Sequence, residues 1–440
     1  MERVSHHRPE DAMEPHHETG FPATLCRWVG EIVQSSPEAA RLTLLELIIG
    51  ALLASGGHVT QAFLALTPRL GWQAYHWMLE HGRFRLLGLI SALCRIVRRE
   101  IGAGRCFVVI DDTLAPRCSV DAPGAAVRFD HAAKTNRPAF LLCQCFVTLS
   151  AVIPCRDRPR SVPLVTGLCR SLGNAGKLAM AKGLLRAVSD LGPVCLLLDA
   201  WYMRGSLIRA ALRLGHDVIG QVRRDTALFA LPPPRQPGRR GRSRIYGARL
   251  DADTVAALPA SVHTIAGYGG RSARLRHAVC RPRFLRGVIV RMVWCELEKP
   301  GGGWARTRLL LSTNPALSAP AIVEAYSNRW SIEPLFRDLK MVDGLGAMWQ
   351  RGRATLLRWR HLVQIARTLL VLLTARAEPE VLALIRIGGW RAAATLTSGL
   401  VKDALAARFR DFEAFRLLPE TRRKSGPVRS TGPPANAVAA

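Results

Sequence analysis

The 440 residues carry 62 Lys and Arg against 33 Asp and Glu, a formal charge of +29, and 49% of them are apolar. That apolar content is enough for packed cores and excludes wholesale disorder, and the length suits two to three domains at roughly 150 residues each. Only seven of the cations are lysines, so 55 are arginines; a charge costing this much self-repulsion predicts a polyanionic partner, nucleic acid, with genome composition as the competing source of the Arg excess. The longest apolar run, Leu42 to Ser55, is interrupted by Glu46 and falls short of the roughly 20 residues a bilayer span needs. No apolar h-region follows the polar start MERVSHHRPEDAMEPHHETG, which argues against a secretory signal. Eleven cysteines without a CxxC pair read as reduced thiols in cores and not as a zinc site. The expected setting is the cytoplasm, with no membrane.

In chain order, residues 1–20 read as a flexible tail whose His pairs are solvated. Residues 21–100 read as an N-terminal helical domain with a possible DNA-contacting helix, from apolar residues at spacings of three and four in ARLTLLELIIGALLA and HWMLEHGRFRLLGLISALCRIVRRE. From 101 to 222 the pattern becomes α/β. CFVVIDDT, PAFLLCQCFVTLSAV, VCLLLDAWY and HDVIGQV read as buried strands, AGKLAMAKGLLRAVSDLG and RGSLIRAALRLG as helices, the latter closed by Gly215. Residues 223–310 read as a β-rich, Arg-rich insertion. PPPRQPGRRGRSRIYG is a loop too charged for a core, and VIVRMVWCELE and WARTRLLLST flank a turn at 301–303. Helical pattern returns over 311–360 and 361–418, and 419–440 reads as a disordered tail.

Three features carry chemistry. Asp111-Asp112-Thr113 closes one strand, Asp199 closes another, and YSNRWSIEPLFRDLK holds Tyr326, Arg329, Glu333 and Lys340. Strand ends facing a crevice are where α/β sheets place their chemistry. On one continuous helix those four residues fall within about 60° of arc, setting a carboxylate and cations toward one cleft. Three carboxylates suit two divalent cations, which offset the charge of a phosphodiester transition state, and Mg²⁺ accepts oxygen ligands while keeping its waters. Adjacent strand residues face opposite sides, so only one of Asp111 and Asp112 can face the metals. Pro334 predicts a kink or a restart of the helix. Each residue also has an ordinary role open to it: a turn cap for Asp111 or Asp112, a helix N-cap for Asp199, and a salt-bridged surface stripe for Arg329, Glu333 and Lys340.

Tyr-x2-Arg-x3-Glu-x6-Lys, matched by Tyr326, Arg329, Glu333 and Lys340, resembles the signature of DDE insertion-sequence transposases whose third acid lies in a Y-R-E-K helix. The family's D-x-Thr strand end is matched by Asp111 and Thr113, and its second acid, in Asp-x-x-Tyr, by Asp199 and Tyr202. The 134-residue interval from Asp199 to Glu333, against 88 from Asp111 to Asp199, leaves room for the family's β-rich insertion. The resemblance implies an RNase H-like α/β core flanked by helical regions, with Asp111, Asp199 and Glu333 as catalytic metal ligands and Asp112 turned away. It implies two Mg²⁺ ions, with Mn²⁺ as a substitute. Tyr326, Arg329 and Lys340 would bind phosphate, the partners would be transposon ends and target DNA held by a homodimer, and the host would be prokaryotic, the protein nucleoid-associated. Alternative readings are a catalytically silent, domesticated DNA-binding protein and a related nuclease without strand transfer. Two arginine runs, 223–249 and 271–291, with interleaved aromatics, read as DNA contacts. Arg239, Arg240, Arg242 and Arg244 are the leading candidates. His131 and Lys134 read as part of a solvated loop beside the first strand.

Overall fold

The structure, a computed structural model, describes residues 21–54, 56–130, 138–169, 174–234, 242–376, 383, 385 and 396–409. Five helices come first: α1 (Phe21–Gln34), α2 (Glu38–Leu53), α3 (Val59–Leu64), α4 (Trp72–His81) and α5 (Leu86–Ile101). α5 buries Leu89, Leu93, Ile96 and Val97 along one stripe and ends at Gly102, whose φ of 73° suits a residue without Cβ. α2 is buried almost all round.

The sheet begins with β1 (Phe107–Pro116), β2 (Ala126–Phe129), β3 (Phe140–Ile153) and β4 (Arg160–Leu168). Next come α6 (Asn174–Ala187), β5 (Cys195–Leu198), α7 (Gly205–Arg213) and β6 (Asp217–Val222). β3 runs antiparallel to both β1 and β4, whereas β1, β5 and β6 are parallel neighbours in that order. The helices α6 and α7 are the connections that parallel strands require. β4 was not foreseen from the sequence, and its Pro163 is unusual inside a strand. It is tolerated beside a register shift at Leu149/Ser150, on a strand that pairs on one side only.

The segment after β6 contributes β7 (Leu228–Phe229), α8 (Ala252–Ala256), β8 (Ser261–Ile265), β9 (Arg271–Pro282), β10 (Val290–Leu297) and β11 (Arg308–Ser312). β11 pairs antiparallel with β6, so these strands do not stand apart; they prolong one 11-stranded sheet. Gly302 and Gly303, with φ of 88° and 74°, make the turn between β10 and β11. Four further helices complete the described fold: α9 (Ala319–Ser327), α10 (Ile332–Met341), α11 (Arg353–Arg376) and α12 (Ser398–Phe409).

Alternation divides the sheet into two faces. Val108, Ile110, Leu196 and Leu198 point to the face covered by α6, α7, the N-terminal helices and α11, in one continuous core. The helices of residues 21–100 therefore share their core with α11 and with the sheet. Val109, Leu197, Ile219 and Val293 point to the other face, where α9 and α10 bury Ile322, Val323, Leu335 and Leu339. Among the described residues no helix is long and apolar enough to cross a membrane, and all eleven cysteines are free thiols.

Candidate active site

β1 and β5 hold Val109 opposite Leu197, and two residues further on the same register sets Asp111 level with Asp199. Asp111 shares the face of Val109, the one that α9 and α10 cover. The Asp199 Oδ1 accepts the backbone N–H of Trp201 at 3.0 Å and of Tyr202 at 2.9 Å, so it does cap the turn after β5. Burial, and then the facing Asp199 charge, push the Asp111 carboxyl up to about 7, against the opposing pull of the Asp112 N–H and Arg329. Two carboxylates are thus pressed together with too little positive charge to balance them.

Asp112 points to the opposite face, the predicted consequence of strand alternation. There Lys177 of α6 binds its Oδ2 at 2.6 Å, the Tyr202 hydroxyl donates to its Oδ1 at 2.9 Å, and Cys145 Sγ lies 3.6 Å from Oδ2. Burial works against the Lys177 cation, but Asp112 outweighs it and the pKa is raised. Tyr202, buried beside Asp112, has its pKa raised and holds its proton as a donor. The loop that ends β5 is thereby tied to β1 from behind.

The Y-R-E-K residues do not lie on one continuous helix. α9 ends at Ser327, residues Asn328–Ser331 form a 3₁₀ turn, and α10 restarts at Ile332. Pro334 has no N–H to give, and only a first turn leaves its N–H groups unpaired, so the helix has to begin just before it. The break removes Tyr326 from the open stripe and buries it on the inner face of α9, where its phenol is pushed up to about 12 by desolvation. Arg329, on the 3₁₀ turn, lies 3.6 Å from Asp111 Oδ2 through Nη1 and donates to Glu333 Oε1 at 2.9 Å through Nη2. It links the first-strand carboxylate to the one on α10. The Arg329–Glu333 pair is also the i,i+4 salt bridge of the ordinary reading. Lys340 is exposed in the last turn of α10, and its charge reaches Cys143 of β3. Among the described residues no three His, Cys, Asp or Glu side chains cluster as a metal group; Glu333 faces Arg329 instead.

Of the candidate DNA contacts, Arg242 and Arg244 are exposed, while Arg239 and Arg240 lie outside the described residues, as do His131 and Lys134. The second arginine run is largely engaged within the protein. Arg271 donates to Glu298 O, Arg274 pairs with Glu296 at 2.6 Å, Arg281 donates to Ile245 O and Arg291 to Pro315 O. Those side chains hold β9 and β10 to their surroundings, a use that charge counting cannot foresee. Sequence reasoning missed Lys177 and Arg308, and read Tyr268 as one of the aromatics interleaved with the arginine runs. Tyr268 and Arg308 both act on the Tyr326 phenol, and Arg308 also acts on Tyr268. The available signal for Lys177 was its rarity, one of seven lysines and set in an apolar helix; for Arg308 it was an Arg at the mouth of an otherwise apolar strand.

Parallel strands ending in facing carboxylates, with an arginine between them and a third acid, define a site suited to phosphate chemistry. The family described as DDE superfamily endonuclease matches residues 31–282, more than half of the chain. The chain belongs to that family of endonucleases. The match takes in Asp111 and Asp199 and stops before the Y-R-E-K segment. No curated protein matches. Among solved structures, the NurA nuclease from Sulfolobus solfataricus is similar at 13% identity, with 60% of this chain and 86% of that chain covered and a TM-score of 0.23.

Proposed function

We propose that this endonuclease is a DNA transposase with an RNase H-like core, which cuts at transposon ends and joins the freed 3′-OH to target DNA. The observation that carries the reading is the alignment of Asp111 with Asp199 on adjacent parallel strands, with Arg329 of the Y-R-E-K segment reaching Asp111. The strand order β4-β3-β1-β5-β6, with β3 antiparallel and β1, β5 and β6 parallel, supports the RNase H-like reading.

The donor set fits a hard divalent cation. Asp111 and Asp199 offer only oxygen, and the β1–β5 register sets the two carboxyl groups level on adjacent strands. Asp111 and Asp199 would hold Mg²⁺, or Mn²⁺ in its place, and Glu333 would complete the set of a two-ion site by exchanging Arg329 for metal. When bound, such ions activate the attacking oxygen and offset charge on the leaving one. Arg329 then has its fork for a phosphate oxygen, and Lys340 adds a point charge further along α10. Tyr326, buried on α9 near Arg329, keeps its phenol proton. Joining two ends implies a homodimer assembled on DNA.

The test is cleavage of a duplex carrying the inverted repeats that flank the gene, with and without Mg²⁺, followed by sizing of joined products. Metal-dependent cuts with strand joining are expected. Cuts without joining would favour the related nuclease, and binding without cuts the silent DNA-binding protein. Asp199→Ala and Glu333→Ala are expected to abolish cleavage with DNA affinity changed less than about threefold, because metal ligands serve the transition state.

A further inference from the structure

Along the sheet edge where the parallel strands end, the strands follow in the order β1, β5, β6, β11. The residues at that edge follow the same order: Asp111, Asp199, then Arg223 and Arg224 just past β6, then Arg306 and Arg308 where β11 begins. β11 is antiparallel to β6, so its start lies at the edge where β6 ends. Neighbouring strands are about 4.8 Å apart, so the carboxylates pass directly into a row of cations.

That row lines an open cleft of about 710 Å³ between residues 221–225 and 305–309, with Ala200, next to Asp199, on its wall. Four arginines line it against one acid, Asp225. Arg223 is paired with Asp225 at 2.7 Å, and Arg224 donates to Thr307 O at 2.7 Å, joining the two walls. Arg306 and Arg308 are exposed, and their side chains have no hydrogen bond or ion pair to any described residue. Arg308 acts on Tyr268 and Tyr326, which places its charge near the carboxylate site as well as in the cleft.

We infer that this cleft seats the sugar–phosphate backbone next to the reacting phosphodiester, so that the cut strand runs across the sheet edge from Asp111 toward β11. Arg306 and Arg308 would carry the adjoining phosphates, and the Arg224–Thr307 contact would keep the cleft walls in place. This inference rests on the nuclease reading of the Asp111–Asp199 pair.

The experiment compares Arg306→Ala/Arg308→Ala with Arg186→Ala/Arg213→Ala, which removes the same charge from exposed positions on α6 and α7. Binding to a short random duplex is measured without divalent cation across a salt series. The cleft variant should bind about tenfold more weakly at low salt, with the log–log salt slope reduced by about 1.8, two contacts at 0.9 each; the control should keep the wild-type slope. Lysine at both positions should restore most of the slope, since each charge is kept. In Mg²⁺, the cleft variant should raise KM with kcat within about twofold, as expected of contacts made equally in ground and transition states. Equal slopes for the cleft variant and the wild type, or an equal loss in the control, would overturn the inference. Wild-type cleavage is read in parallel. A wild type that binds but never cuts counts against the nuclease reading, whereas a cutting wild type matched by an unimpaired cleft variant counts against the cleft alone.

Discussion

Asp111 and Asp112 are adjacent in sequence and opposite in physical circumstance. Asp112 is matched by Lys177 and Tyr202, while Asp111 faces another acid. The two isosteric substitutions should therefore move stability in opposite directions. Because the folded-state pKa of Asp111 is raised to about 7, its contribution is full below the unfolded value near 4 and is lost as pH rises through 7. Asp111→Asn should accordingly stabilise the metal-free protein at pH 8, by about 2–4 kcal/mol, while ending cleavage. Asp112→Asn leaves the half-buried Lys177 cation without its counter-ion and should destabilise by about 2–4 kcal/mol. Chemical denaturation of the two variants in metal-free buffer checks both signs. Tyr202→Phe removes only the hydroxyl that ties the β5 loop to β1, and is expected to cost about 1–2 kcal/mol. That the neighbouring acids face opposite sides was legible as an alternation rule, but the lysine that distinguishes them comes from a helix 65 residues away.

At the scale of elements, the break between α9 and α10 and the seating of α11 are decisive. Pro334 signalled the restart in the sequence, yet the 3₁₀ turn it leaves is what swings Arg329 toward Asp111 and buries Tyr326. α11 is fastened to the edge strand β4 by His361, whose Nδ1 meets Leu357 O at 2.6 Å and whose Nε2 accepts the Thr166 N–H at 3.3 Å. That arrangement needs a neutral ring, because a second ring proton would face the Thr166 N–H. Burial lowers the pKa to about 4. A depressed histidine gives stability that is full above its unfolded pKa near 6.5 and lost as pH falls toward 4, amounting to about 3 kcal/mol. Thermal unfolding of the wild type should weaken across that window more steeply than that of His361→Leu. Parallel profiles would show that His361 does not stay neutral. Gly344, with φ of 64°, sits where an added Cβ would lie 1.9 Å from Gly56 O, so Gly344→Ala should separate the turn after α10 from the loop before α3.

For the whole molecule, the charge of +29 is divided between different tasks. Arginines of β9 and β10 hold strands together, those at the sheet edge face the cleft beside Asp199, and those of residues 239–244 belong to a Pro- and Gly-rich loop. Of the last two groups, Arg306, Arg308, Arg242 and Arg244 are exposed among the described residues. Replacing Arg239, Arg240, Arg242 and Arg244 by Ala should leave the unfolding transition unchanged and lower the salt slope of DNA binding by as much as about 3–4. An unchanged slope in a salt titration would assign those arginines to solvent. Assembly on DNA is checked by sedimentation: a transposon-end duplex should bring two chains together, and one chain per duplex would remove the dimer from the proposal.

The sequence by itself determined what local physics controls: buried strands from short apolar β-branched runs, a helix restart from Pro334, and opposed faces for Asp111 and Asp112. Only the tertiary structure decided what depends on distant partners. Strand order is set by pairings between residues far apart, so the extension of the sheet through β11 and β10, and the shared core of the first helices with α11, had no local signature. The fate of an arginine is similarly undetermined in one dimension. Arg274 and Arg308 are indistinguishable as residues, but Glu296 lies within reach of the first, and a cleft opens beside the second.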